Sequence, residues 1–163
     1  MSEPRIRVLC IDDEARILRA LKALFRDMDV SITTDPAEAI RLAAEKDIDV
    51  VVCDQRMPKM QGIEVLREIR MSHPRAMRIL LTGYADLNAV LGSVNEGEVF
   101  RYINKPWDNT ELKVLLHLAF EHLDLQREHR HLLAMVRTQS PLLAALRRRT
   151  EQAPHAAVEL PEV

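Results

Sequence analysis

Ile48-Asp49-Val50-Val51-Val52-Cys53-Asp54-Gln55-Arg56-Met57-Pro58 is the stretch on which the fold turns. From Ile48 to Cys53 it is the most apolar run of the chain, short and rich in β-branched residues, as suits a strand buried on both faces. It stops on a carboxylate, Asp54, and Gln55 to Gln61 with Met57-Pro58 reads as a loop. Outward from this stretch the same arrangement recurs. Ile6 to Ile11 is apolar and ends in Asp12-Asp13-Glu14. Met77 to Leu81 ends in Thr82-Gly83, and Val99 to Ile103 ends in Asn104-Lys105-Pro106. The alternating run Val30 to Thr34 completes a set of five strands.

Helical patterns fill the intervals. Ile17, Leu18, Leu21, Leu24 and Phe25 share one helix face. Asp35-Pro36-Ala37-Glu38 offers an N-cap, a proline at the first helical position and a capping-box acid, for a helix to about Lys46. Gly62 precedes a helix with Ile63, Leu66 and Ile69 on one side, and Leu87, Val90, Leu91 and Val94 mark a fourth. Asp108 with Glu111 caps a fifth that begins near Asn109. Strands alternating with helices give repeated βα units, a parallel sheet and right-handed crossovers that put helices on both faces. The fold class is α/β, a doubly wound five-stranded parallel sheet.

Ligands of such sheets bind at the carboxyl ends of the strands. Those ends carry Asp12, Asp13, Asp54, Thr82 and Lys105. An aspartate after a strand is by itself an ordinary turn or cap residue; the joint placement of five polar groups at one edge is not. Three adjacent carboxylates repel unless a cation joins them, and an all-oxygen set suits Mg²⁺. Lys105 and Thr82 suit phosphoryl oxygens, and a carboxylate can act as nucleophile to form an aspartyl phosphate.

With these residues in place, the sequence resembles the receiver domain of bacterial two-component response regulators. The resemblance covers about residues 5–122 and rests on four pieces in order: Val8 to Glu14, Val50 to Pro58 followed by Gly62, Leu80 to Tyr84, and Tyr102 to Trp107. It implies a flavodoxin-like strand order 2-1-3-4-5. Asp54 would be the phosphoacceptor, loaded by a histidine kinase or phosphotransfer protein. Asp13 would ligate Mg²⁺ directly and Asp12 largely through water, with the Arg56 backbone carbonyl completing the site. Lys105 would contact Asp54 and the phosphoryl group. Thr82 would move toward the phosphoryl oxygen, Tyr102 would follow inward, and the surface of the fourth helix, fifth strand and fifth helix would change. The Lys105-Pro106 bond is cis in this family. Such a domain is a switch that promotes its own phosphorylation and dephosphorylation, not an enzyme with a separate substrate. Arg56 and Tyr84, bulky and two residues past Asp54 and Thr82, would flank the path of an attacking water and lengthen the life of the phosphorylated state.

A sub-pattern, Arg78 to Asp86 with Asn95-Glu96-Gly97-Glu98, looks like receivers joined to HD-GYP phosphodiesterases or to hydrogenase-type regulators. Two rival classes lack their signatures. A phosphatase of the haloacid dehalogenase type needs Asp-x-Asp after its first strand, and a flavodoxin-like cofactor protein needs a Ser/Thr/Gly-rich phosphate loop there.

Composition sets the outer limits. The chain has 163 residues, 47% of them hydrophobic and 29% charged, which excludes a disordered or fibrous protein for most of its length. Its net charge of −2 conceals an acidic body, a basic stretch over 126–150 and an acidic end. Cys10 and Cys53 lie in apolar runs and read as small buried side chains. The N-terminus has no signal-peptide core, and no run approaches the length of a membrane span, so a cytoplasmic location is expected.

The domain division expected is a receiver over 1–122, a helical extension over 123–152 for dimerisation or linkage, and a flexible tail over 153–163. Within the extension, Leu118, His122, Leu125, His129, Leu132 and Val136 form a heptad-like seam that would serve a homodimer. The surface of the fourth helix, fifth strand and fifth helix is the other dimerisation candidate. Ser140-Pro141 should end that helix and start another. Arg147-Arg148-Arg149 reads as a solvated helix end, so nucleic acid is not indicated. The runner-up function is the receiver part of a DNA-binding transcriptional regulator whose output domain is absent from this chain.

Overall fold

In the computed structural model, which describes residues 5–91 and 98–151, strands and helices alternate through the first part of the chain. The elements are β1 (Arg7–Ile11), α1 (Ala15–Leu24), β2 (Asp29–Thr33), α2 (Pro36–Glu45), β3 (Val50–Asp54), α3 (Gly62–Ser72), β4 (Met77–Thr82), α4 (Tyr84–Leu91), β5 (Arg101–Asn104) and α5 (Asn109–Glu151). All four strand pairings are parallel and the order is β2-β1-β3-β4-β5. The expected doubly wound sheet is therefore present, with the chain reversing direction of travel between β1 and β3.

Strand periodicity sorts the core into two layers. Val8, Cys10, Val50, Val52, Ile79, Leu81 and Ile103 pack with Leu18, Leu21 and Phe25 of the α1 region and Leu112, Leu116 and Ala119 of α5. Leu9, Ile11, Val51, Cys53 and Leu80 pack on the other face with Ala39 and Ala43 of α2, Val65, Leu66 and Ile69 of α3, and Val90 of α4. β3 is buried along its whole length, as its unbroken apolar run requires.

Local details depart from the reading above. The capping box forms at Gln61 and Glu64, ahead of α3, rather than at Asp35 and Glu38. Glu38 instead accepts the Thr33 hydroxyl, and Asp35 pairs with Lys59 at 3.5 Å. β5 begins at Arg101 rather than Val99, which packs as a side chain against the second layer. Val94 of the expected fourth helix lies outside the described residues. Gly62 has a steric reason to be glycine: a Cβ there would overlap the Asp54 carbonyl, so α3 starts tight against the end of β3.

The chain divides into two units, Met1–Asp124 and Leu125–Val163. In the second, the helix does not break at Ser140-Pro141 but continues through Pro141. Pro141 lacks the N–H that would bond the Arg137 carbonyl, and the helix carries this loss among good formers such as Leu, Ala and Arg. Leu125, Leu132, Val136, Leu143 and Leu146 are exposed along it. Of the expected seam, His122 belongs to the first unit, where its ring stacks on Phe100 at 6.1 Å.

Candidate functional site

Each strand end reaches the site through backbone constraints. Asp12 N–H donates to the Thr33 carbonyl at 3.4 Å, Gln55 N–H to Leu81 at 2.9 Å, and Lys105 N–H to Thr82 at 2.9 Å, so the end of β1 is tied to β2 and the ends of β3 and β5 to β4. The Lys105-Pro106 peptide is cis, as the family resemblance implied. Gln55, to which the sequence reading assigned no role, braces the loop below. Its Oε1 accepts the Ile63 N–H at 3.0 Å, and its Nε2 donates to Gln61 at 3.3 Å.

The five residues singled out from strand ends come together. Lys105 Nζ lies 2.6 Å from Asp54 Oδ1 and 3.2 Å from Asp12 Oδ2. Carboxylate oxygens of Asp12, Asp13 and Asp54 all lie within 4.8 Å of one another, Asp12 and Asp54 buried and Asp13 exposed. Glu14 N–H donates to Asp12 Oδ1 at 2.9 Å. Thr82 is buried at the end of β4, with its hydroxyl 3.3 Å from the Gly83 carbonyl. Asp13, Asp54, Thr82, Lys105, Met57 and Arg56 line one open pocket.

Its electrostatics are unbalanced. Burial raises the Asp54 carboxyl above the usual carboxylate range, against the pull of Lys105, and burial with the Asp54 charge does the same to Asp12. Burial alone would lower the Lys105 ammonium, but its bonds to Asp54 and Asp12 outweigh that and leave it raised. One ammonium thus pairs with two of three clustered carboxylates. This donor set fits a hard divalent cation: all oxygen, clustered, under-neutralised and open to solvent on one side.

Two expected residues lie elsewhere. Tyr102, on β5, is half-buried against the second core layer, and burial followed by the Glu98 charge raises its phenol. Tyr84 is 75% exposed and does not line the pocket, although it was expected to flank the opening with Arg56. It is the first residue of α4, and side chains two apart on a helix point about 200° from each other. Asp86, which does line the pocket, therefore puts Tyr84 on the opposite side. Asp86 is the site residue that sequence reasoning missed, together with its ion pair to Arg56.

No helix among the described residues is long and apolar enough to cross a membrane.

Comparison with known proteins agrees with this geometry. The family described as "Response regulator receiver domain" matches residues 8–117. The hydrogenase transcriptional regulatory protein HoxA of Cupriavidus necator is 37% identical over 147 residues, 88% of this chain and 30% of that protein. The DNA-binding transcriptional regulator NtrC of Escherichia coli is 32% identical over 126 residues, 76% of this chain and 27% of that protein. The chain thus spans less than a third of the length of these curated relatives. Among solved structures, the signal receiver domain of an HD domain-containing protein from Pseudomonas fluorescens Pf-5 is 35% identical, with a TM-score of 0.71 over 78% of this chain and 96% of that one. The family match, the relatives and the strand-end geometry agree: this chain belongs to the receiver domains of two-component response regulators.

Proposed function

We propose that Asp54 is the phosphoacceptor of this receiver, loaded from the phosphohistidine of a histidine kinase or phosphotransfer protein. The observation that carries this reading is the position of Lys105, whose ammonium bridges Asp54 and Asp12 in a pocket lined also by Asp13 and Thr82. In the transfer an Asp54 carboxylate oxygen bonds to phosphorus while the phosphorus–nitrogen bond breaks, and the departing imidazole nitrogen takes a proton from solvent.

Asp12, Asp13, Asp54 and the Arg56 backbone carbonyl are the groups that would hold Mg²⁺. When bound, the ion neutralises carboxylate and phosphoryl charge. The protein's own groups do the rest. Lys105 orients the acceptor carboxylate and offers its ammonium to an incoming phosphoryl oxygen. Thr82 exchanges its long bond to the Gly83 carbonyl for a phosphoryl oxygen. Tyr102, half-buried on β5, then moves inward and alters the α4-β5-α5 surface. That surface, or the exposed face of α5, would meet a second copy or an output partner. A cytoplasmic location goes with a kinase as donor.

A second reading concerns the output alone. The relatives HoxA and NtrC are transcriptional regulators more than three times the length of the matched part, which favours a receiver serving a DNA-binding output.

The test is intact mass after incubation with acetyl phosphate and Mg²⁺. Wild type gains one phosphoryl group and Asp54→Asn gains none. Uptake by Asp54→Asn, or none by wild type, overturns the assignment.

A further inference from the structure

The rim of the acceptor pocket carries an ion pair that phosphoryl transfer does not itself require. Arg56, in the loop between β3 and α3, donates from Nη2 to Asp86 Oδ1 in the first turn of α4. The two residues belong to separate segments and both line the pocket that contains Asp54. They also line a smaller recess with Gln55, Met57 and Gln61, so the pair stands where two concavities meet.

The partners differ in freedom. The Arg56 side chain is 79% exposed and, without a partner, would sample many rotamers. Asp86 is 26% exposed and sits in a helical first turn, where a carboxylate is favoured by the helix dipole. Asp86 is therefore the anchor and Arg56 the group being placed. The Asp86 bond and charge raise the Arg56 guanidinium, and the charge of Asp54 adds to this, so Arg56 lies within electrostatic reach of the acceptor. Tyr84 is exposed and does not line the pocket, whereas Arg56 does.

We infer that Asp86 is a positioning residue that holds the Arg56 guanidinium across the mouth of the acceptor pocket, and that the pair prolongs the life of a phosphoryl group on Asp54. The inference rests on Asp54 being the phosphoacceptor. The reaction it retards is hydrolysis. A water oxygen bonds to phosphorus, the bond from phosphorus to the Asp54 oxygen breaks with its electron pair returning to the carboxylate, and both water hydrogens leave on dihydrogen phosphate. The attacking water must approach in line with that breaking bond, from the side opposite Asp54. A guanidinium fixed at the mouth narrows this approach, whereas a free one leaves it open for part of the time.

The full chain is loaded with acetyl phosphate and Mg²⁺, freed of donor, and followed by intact mass. Asp86→Asn speeds phosphoryl loss about twofold to fivefold, the range that an exposed ion pair supports. Asp86→Glu restores most of the wild-type lifetime, which a merely structural role at this position would not bring about. Arg56→Asn also speeds loss, and adding Asp86→Asn to it changes the rate no further, because the two act as one unit. Unchanged or slower loss in Asp86→Asn overturns the inference, as does equal acceleration in the Arg56→Asn background. Failure of wild type to load, or loading of Asp54→Asn, overturns the phosphoacceptor reading itself and is seen before any lifetime is measured.

Discussion

The two ends of β3 each bury a carboxylate and compensate it in opposite ways. Asp49, just before the strand, is 1% exposed and meets Arg7 at three points: the Arg7 backbone N–H at 2.8 Å, Nε at 3.2 Å and Nη2 at 3.2 Å. Its charge faces a part-exposed guanidinium in a fork geometry that carboxylates favour, and the same guanidinium reaches the exposed Asp47 at 2.9 Å. Asp54, at the other end, shares one ammonium with Asp12 and has Asp13 as a near neighbour. The forked carboxylate is structural: it joins β1 to the start of β3. The unmatched cluster retains attraction for a cation and for a phosphoryl group. Burial alone does not separate a structural acid from a reactive one; the number of buried carboxylates that share one cation does, one at Arg7 and two at Lys105.

Exchanging losses at the two ends gives the largest contrast. Asp49→Ala removes the forked partner of Arg7 and lowers stability by about 2 kcal/mol, less than for a fully buried pair because Arg7 is part-exposed and keeps Asp47. Phosphoryl uptake at Asp54 survives in that variant at temperatures below its unfolding transition. Asp54→Asn abolishes uptake yet changes stability by less than about 1 kcal/mol, since it removes a charge that the site cannot balance. Urea unfolding and intact mass on both variants check the pair. A stable Asp49→Ala, or an unfolded Asp54→Asn, breaks the distinction.

The Asp54 end was readable from sequence because a buried strand announces its own terminus. The apolar run stops, and the residue after it must lie at the sheet edge, so Asp12, Asp13, Asp54, Thr82 and Lys105 could be placed together before any coordinates. The Asp49 end was not readable, because Arg7 and Asp49 are 42 residues apart and their meeting depends on the β1–β3 register. The same holds for Arg56 with Asp86, and for Arg67 with Glu98 at 3.1 Å. Local signals misled where two solutions compete. Asp35 and Glu38 have capping-box spacing, but Thr33 and Lys59 draw both side chains away. Pro141 looks like a helix boundary, yet the exposed helix of α5 runs through it.

Metal should also separate the two ends. Mg²⁺ raises the stability of the folded protein by about 2.7 kcal/mol when present at one hundred times its dissociation constant, by binding the native state only. The gain is largely lost in Asp13→Asn, which removes the exposed member of the carboxylate cluster. It is retained in Asp49→Ala, whose carboxylate faces the other end of the strand. Thermal unfolding with and without Mg²⁺, against a Ca²⁺ and an ionic-strength control, reads this directly. Equal Mg²⁺ effects in wild type and Asp13→Asn would mean that the ion acts elsewhere.

The smallest effect concerns the two thiols, which report how far the imbalance extends. Cys10, on β1, is buried and its thiol is pushed up to about 12 by burial. Cys53, beside Asp54, is raised well above the ordinary value by burial first and then by the charges of Asp54 and Asp12. A thiol whose folded pKa is raised is held neutral by the fold. The stability it contributes is complete below the unfolded value near 9 and falls as pH rises from there toward 12. At pH 10 the unfolded Cys10 thiol is about tenfold more often ionised than not, which lowers stability by about 1.4 kcal/mol relative to pH 7. In Cys10→Ala that component is absent, so the stability cost of the substitution should shrink by the same amount between pH 7 and pH 10. Cys53→Ala should show a shrinkage in the same direction, because the fold raises that thiol too. Alkylation of the native protein at pH 8 should accordingly reach neither thiol faster than global unfolding exposes it. Labelling of Cys53 ahead of Cys10 would show that the carboxyl end of β3 opens locally, and that its carboxylates are better hydrated than their burial implies.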